Sequence, residues 1–406
     1  MHCVQPVSPD ILWVGSADRR LALFENLFPL ENGVSYHSYL ILDEKTALID
    51  TVDRSVTPQF LENLCHALNG RSLDYLVVQH MEPDHCANIR EICRRWPQVT
   101  LVGNAKTFPL IRQFYHFSPA VPPLTVKEGD RLSLGKHCLR FLMAPMVHWP
   151  EVMFSLEEHE KILFSADAFG SFGAYTGNLF CDQTDDSEGY LNEARRYFTN
   201  IVGKFGPQVS AVLKKAEGLD LRLVCPLHGP MLRGRQLSLM LDKYRRWAAY
   251  IPEENGVLLA YSSIYGNTEQ AVHHLAGLLS QNGVRNLRLY DTAKTHYSYI
   301  VADCFRFSHL VFASVTYNMH LHNSMEMLLR DLGHLNFQNR SFSLVANGSW
   351  APTAHKDMAA LLGAMKNMQQ LGDPLVIRSS PAPEDEPELQ RLAQRIAAEV
   401  TAPDPS

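Results

Sequence analysis

An α/β architecture in two blocks is what this sequence predicts: a mixed α/β layer structure first, then a doubly wound sheet. Three observations carry that expectation. Short apolar runs between turn residues open the chain. Strand-like and helix-like patterns alternate regularly from residue 257 onward. Between them lies a polar stretch with a proline and a glycine, Ile251-Pro252-Glu253-Glu254-Asn255-Gly256, which breaks regular structure.

In the first block, the apolar runs at 11–15, 38–42 and 46–50 read as strands, and 58–68 as a helix. Residues 75–79 form a buried-strand candidate, and further strands are expected at 138–143 and within 152–166. In the second block, strands are expected at 257–261, 287–291, 310–314, 342–346 and 375–378. Helices lie between them, such as 268–279 with Ala271, Leu275, Leu278 and Leu279 on one face. A last helix carries Leu389, Leu392, Ile396 and Val400 at helical spacing. Five strands alternating with helices predict a doubly wound sheet. The expected boundaries are 1–250 for the first domain, 251–255 for a linker, 256–401 for the second domain and 402–406 for a loose tail.

Composition narrows the function. The 406 residues suffice for two or three domains with large cores. A net charge of −6, from 37 Lys plus Arg against 43 Asp plus Glu, argues against a broad nucleic-acid surface. No apolar run reaches the roughly 18 residues of a membrane span. The start, Met1-His2-Cys3-Val4-Gln5-Pro6, lacks the pattern of a signal peptide. The eight cysteines are scattered without a C-x-x-C pair, which argues against a disulfide framework, a zinc ribbon or a fused rubredoxin module. A reducing cytoplasm is therefore expected.

The densest chemistry follows the strand at 75–79. His80-Met81-Glu82-Pro83-Asp84-His85 places four ligand-type side chains in six positions, and His80, Glu82 and Asp84 alternate as converging ligands on a loop would. Later, His148, Asp167 and His228 each stand just past an apolar run. Singly these three read as satisfied histidines or a capping aspartate. With the first cluster they make seven ligands, enough for two metals. Imidazoles and carboxylates without cysteine suit iron, manganese or zinc.

The order H-x-E-x-D-H, then His148, Asp167 and His228, resembles the metallo-β-lactamase superfamily, with Asp50 at its early strand-end aspartate. Glu82 stands where that superfamily's hydrolases mostly carry His. The Glu form, together with His148-Trp149-Pro150, Asp167-Ala168-Phe169-Gly170 and Pro226-Leu227-His228-Gly229-Pro230, resembles the flavodiiron proteins over nearly the whole chain. The resemblance implies an αββα metallo-β-lactamase-like sandwich followed by a flavodoxin-like five-stranded parallel sheet. It implies that His80, Glu82 and His148 hold one iron, that Asp84, His85 and His228 hold the other, and that Asp167 bridges. Some relatives turn the histidine at position 85 away from the metal. Relatives often carry two tyrosines at 197–198. Tyr197 is a pocket candidate, and Phe198 is a departure that bears on pocket polarity.

In the second block, Ser263-Ile264-Tyr265-Gly266-Asn267-Thr268 links the first strand to a helix, a turn that can cradle a phosphate through backbone N–H groups and the helix N-terminus or serve as a plain N-cap turn. It matches neither the P-loop nor the dinucleotide G-x-G-x-x-G pattern. Ser314, Thr316, Tyr317 and Asn318 follow the third strand, and Asn347, Gly348, Ser349 and Trp350 the fourth. In a flavodoxin-like order these loops meet at the carboxyl edge of the sheet, and together they resemble the FMN site of flavodiiron proteins. A diiron site with FMN implies a reductase of O2, NO or both: four electrons take O2 to water, and two take a pair of NO molecules to N2O and water. The resemblance further implies a small external donor such as rubredoxin and a head-to-tail homodimer or dimer of dimers. The competing readings are a dizinc hydrolase with an accessory flavodoxin domain, which Glu82 weighs against, and an FMN electron carrier, which the seven ligands weigh against.

Overall fold

A computed structural model describes residues 1–402, so residues 403–406 of the expected loose tail lie outside the described residues. The chain divides into two compact units, one of Met1–Phe198 with Pro207–Arg245 and one of Thr199–Gly206 with Arg246 onward.

The first unit holds two sheets. In the seven-stranded sheet, Ile11–Trp13, Tyr39–Leu42 and Thr46–Ile49 form an antiparallel run, which continues in parallel through Tyr75–Val77 and Thr100–Gly103. In the six-stranded sheet, Cys138–Met143, Met153–Glu157 and Ile162–Phe164 are antiparallel neighbours, and Ile162–Phe164 runs parallel to Leu223–Cys225. Alternate residues of both sheets meet in one core. Trp13, Tyr39, Ile41, Ala47, Ile49 and Val77 come from the first sheet, and Leu139, Phe141, Met153, Phe164 and Cys225 from the second. Leu40 and Leu48, on the other face of the first sheet, are also buried, and the helix Thr57–Leu68 turns Phe60, Leu61, Leu64 and Leu68 inward.

The second unit is one sheet with the strand order Leu287–Asp291, Glu254–Ser262, Phe307–Tyr317, Arg340–Asn347 and Met368–Gln370, all in parallel. In chain order that is 2-1-3-4-5, the doubly wound arrangement. Both faces are apolar, as a sheet covered by helices on two sides requires: Leu258, Ala260, Leu310, Phe312 and Leu344 on one, and Val257, Leu259, Val311, Ala313 and Val345 on the other.

Two expectations change. The first strand of this sheet begins inside the expected linker, at Glu254, because Glu254 pairs with Phe307 and a register shift before Val257 absorbs the intervening residues. The fifth strand is split. Met368–Gln370 pairs with Arg340–Phe342 and Leu375–Ile377 with Val345–Asn347, on either side of Gly372 at φ 76.

Candidate metal centre and cofactor cavity

The strand ends of the first unit aim the ligand-type residues at one place. His80 is the third residue after Val77, Asp167 the third after Phe164 and His228 the third after Cys225. His148 lies in the turn between Cys138–Met143 and Met153–Glu157. The expected alternation through Asp84 stops at Glu82. Pro83 opens a short helical turn, Pro83–Cys86, which swings Asp84 and His85 away from His80 and Glu82. Met146, Ala166 and Asp50, beside these ligands, hold left-handed backbone with φ of 65°, 48° and 52°. Strain of this kind gathers at functional sites.

Two clusters result, one of His80, Glu82, His148 and Asp167 and one of Asp84, His85 and His228. In the first, His80 Nε2 lies 3.2 Å from Glu82 Oε2 and 3.1 Å from Asp167 Oδ2, and His148 Nε2 lies 3.1 Å from both. In the second, His85 Nε2 lies 3.3 Å from Asp84 Oδ2, 3.1 Å from Asp167 Oδ1 and 3.0 Å from His228 Nε2, which is itself 3.2 Å from Asp84 Oδ2. Asp167 thus presents Oδ2 to one cluster and Oδ1 to the other. For bonds of about 2.1 Å to a metal, neighbouring donors of an octahedron stand about 3.0 Å apart and those of a tetrahedron about 3.4 Å. The observed spacings fall in that range. Both carboxylate oxygens of Asp84, and Oδ1 of Asp167, are buried without a hydrogen bond among the described residues, and a cation between the donors would satisfy them. The residues therefore fit a pair of metal ions.

The electrostatics agree. Burial favours neutral His80, but the carboxylates of Asp167, Glu151 and Glu82 outweigh it and hold its pKa well above the usual value. Burial likewise opposes charge on Asp167, yet His85, His80 and His148 keep its carboxyl well below the carboxylate range. His85 is raised against its burial by Asp84 and Asp167. Its Nε2 points into the second cluster, toward the other donors.

Tyr197 packs 5.6 Å from the His228 ring, with Phe24 at 5.2 Å and Tyr36 at 5.7 Å. Its hydroxyl is buried without a hydrogen bond among the described residues. Burial first, then Asp167, Asp84 and Glu82, pushes its pKa well up, so it stays protonated. Phe198 instead packs edge-on to Tyr244 at 4.9 Å. Sequence reasoning missed Glu151, whose Oε1 lies 3.0 Å from His80 Nδ1, and the Ser35 carbonyl, which accepts from His228 Nδ1 at 2.8 Å. Asp50 accepts from the N–H groups of Gln79 and His80, a supporting role. A third group, Asp10, His137 and Glu160, already holds a cation of the chain, since Lys136 Nζ lies 2.7 Å from Asp10 Oδ2.

In the second unit, a cavity of about 370 Å³ opens at the carboxyl edge of the sheet, within the size range of cofactor sites. Ser263, Ile264, Tyr265, Asn267 and Thr268 line it from the first loop, Thr316, Tyr317 and Asn318 from the second, and Asn347, Gly348, Ser349 and Trp350 from the third. Gly266, at φ 91, makes the turn into the helix Asn267–Gln281, and its N–H donates to Ser263 Oγ at 3.1 Å. Ser314 is not at the cavity. It points into the sheet and shares a 2.8 Å hydrogen bond with Ser262. Thr316 Oγ1 also accepts from the N–H groups of Thr353 and Ala354, at the start of the helix Ala354–Gly363. Val315, Met319, Ala351 and Ser379 are lining residues that loop positions alone did not reveal. Tyr265 and Trp350 are 92% and 85% exposed at the rim. A hydroxyl- and amide-lined helix N-terminus beside open aromatic faces fits a phosphate joined to a flat ring system.

The description "ODP family beta lactamase" matches residues 34–229. The chain is 30% identical over 349 residues to an anaerobic nitric oxide reductase flavorubredoxin of Aeromonas hydrophila, covering 85% of this chain and 70% of that protein. It is 29% identical over 405 residues to a nitric oxide reductase of Moorella thermoacetica, covering 98% and 99%. Among solved structures it is similar to rubredoxin:oxygen oxidoreductase from Desulfovibrio gigas, with a TM-score of 0.91, 26% identity and 98% of each chain covered.

Proposed function

Because this chain belongs to the flavodiiron protein family, we propose that it is an oxidoreductase that reduces NO, O2 or both, with electrons arriving from a separate small donor such as rubredoxin. The relatives' names, nitric oxide reductase and rubredoxin:oxygen oxidoreductase, support this. The observation that carries it is the carboxylate of Asp167, one oxygen in each of two ligand clusters. Bound iron and FMN supply the redox chemistry, and the chain supplies the holding, shielding and proton placement.

His80, Glu82 and His148 would hold one iron, Asp84, His85 and His228 the other, and Asp167 both. Three carboxylates against two divalent ions leave little net charge to bury. Glu82 adds a hard oxygen donor, which favours redox iron over fixed-valence zinc. Phe24, Tyr36 and Tyr197 wall the His228 side with rings, which keeps water out and suits a small neutral diatomic. The Tyr197 hydroxyl, with no hydrogen-bond partner among the described residues, would donate to a substrate oxygen. The turn from Ser263 to Thr268 would take the FMN phosphate, and Tyr265, Tyr317 and Trp350 would flank its ring.

A head-to-tail homodimer, alone or as a dimer of dimers, belongs to the same reading. Leu23 and Leu27, on either side of Phe24 in the chain, and Phe114, which stacks on the Trp149 that packs against His80, are exposed, as are Ile264, Tyr265, Met319 and Trp350 around the flavin cavity. Each unit thus offers an apolar rim for a second copy. A reducing cytoplasm fits the buried free thiols of Cys86, Cys181, Cys225 and Cys304. Among the described residues no helix is long and apolar enough to cross a membrane. The test is anaerobic stopped-flow mixing of the reduced, iron- and FMN-loaded protein with O2 and with NO separately. Flavin reoxidation on turnover timescales by at least one gas is expected. Slow reoxidation by both, no faster than free FMN, would overturn the reading.

A further inference from the structure

The two positions of the candidate metal centre are matched in the atoms that face the ions. Each has two imidazoles, a carboxylate of its own and one oxygen of Asp167. They are unmatched behind the imidazoles. His80 Nδ1 donates to Glu151 Oε1 at 3.0 Å. Glu151 is fully buried, and the same oxygen accepts the Met81 N–H at 2.8 Å. Its main-chain carbonyl accepts from Asn104 Nδ2 at 2.5 Å, so the residue is held at both ends.

Behind the second position no carboxylate among the described residues plays this part. His228 Nδ1 donates to the neutral Ser35 carbonyl at 2.8 Å. His85 Nδ1 is buried with no hydrogen-bond partner among the described residues. Asp50 spends its oxygens on the backbone N–H groups of Gln79 and His80 and on the Gln79 side-chain amide.

A carboxylate that accepts the Nδ1 proton fixes the imidazole's tautomer and orientation and increases electron density at Nε2, the atom that faces the metal. A neutral carbonyl does so less, and a missing partner not at all. Loss of such outer partners costs roughly 10–100-fold in metal affinity. With equal direct donors, that factor decides the order. We propose that Glu151 is a positioning residue that makes the His80–Glu82–His148 position the tighter of the two, and that the Asp84–His85–His228 position gives up its ion first. This rests on the diiron reading above.

The test uses the full-length protein loaded with ⁵⁷Fe, reduced anaerobically and challenged with ferrozine. Iron release is followed by absorbance, and the iron remaining is characterised by Mössbauer spectroscopy and located by anomalous diffraction. The expected result is two release phases about tenfold or more apart in rate, with the retained iron at His80, Glu82 and His148. In Glu151→Gln the slow phase should accelerate until the phases merge and the Mössbauer parameters of the retained iron should move, with the FMN content and circular dichroism unchanged. Glu151→Asp, which restores the charge, should recover part of the separation. Release of both irons in one phase by the native protein, or earlier loss from the His80 position, would overturn the proposal, and either result stands even if the variants fail to fold. A well-folded Glu151→Gln that keeps both phases would overturn it too. Failure of the native protein to take up paired iron at all would sink the diiron reading itself, and this proposal with it.

Discussion

The two functional regions of this chain are built in opposite ways. In the first unit, seven ligand-type side chains are brought within about bonding reach of shared points, most of them buried, with His80 and His228 braced by a second hydrogen bond. In the second, the cavity is open, lined by hydroxyls, amides and aromatics, and two of its aromatic rings are almost wholly exposed. Charge explains the contrast. A cluster of carboxylates in low dielectric must be matched by cations, so its geometry is fixed by the protein. A flat, amphipathic cofactor can be held by surface contacts and by the N-terminus of one helix.

The sharpest way to break this contrast is Asp167→Ala, because among the described residues Asp167 alone serves both clusters. Iron content and gas turnover should fall by at least roughly a hundredfold, while FMN content, measured by absorbance, stays unchanged. Loss of FMN along with iron would mean that the two regions are not independent. The converse change is Gly348→Ala. A Cβ there would stand 2.8 Å from Pro352 Cα, and overpacking of this kind costs about 1–3 kcal/mol. The Kd for FMN, followed by flavin fluorescence, should rise roughly tenfold, and iron content should stay unchanged.

A pH series sharpens the comparison further. Burial favours neutral His148, but hydrogen bonds to Asp167 and Glu82 outweigh it and raise its pKa to about 9 in the metal-free fold. A raised folded pKa contributes stability that is fully present below the unfolded value, near 6.5, and is lost as pH rises through about 9. Thermal melts of metal-free protein should therefore decline across that window. The iron-loaded protein should not show this decline, because ligation takes the imidazole in its neutral form. The smallest effect is expected for Tyr265→Ala. The ring is almost fully exposed, so stability should hardly change, while loss of stacking should weaken FMN by about 1 kcal/mol.

What was legible in the sequence follows the same division. His80, Asp167 and His228 could be read because each is a polar ligand type placed soon after an apolar strand, and Glu82 because it departs from histidine. Glu151 could not. Nothing in Trp149-Pro150-Glu151-Val152 marks it, and only the fold carries its carboxylate behind His80. The Ser35 contact is made by main chain, which the side-chain pattern does not encode. In the second unit the three loops were legible from strand order, but the direction of each side chain was not. Ser314 turns into the sheet to meet Ser262, while Ser379 reaches the cavity from the split fifth strand. The seam was also blurred, because Glu254 looks like a linker residue in isolation and becomes a strand residue through its pairing with Phe307.

The most direct test of the central claim is anomalous diffraction at the iron edge from the iron-loaded protein. Two peaks are predicted, one among His80, Glu82 and His148 and one among Asp84, His85 and His228, with the Asp167 carboxylate between them. A single peak, or peaks at the zinc edge after growth with abundant iron, would contradict the account.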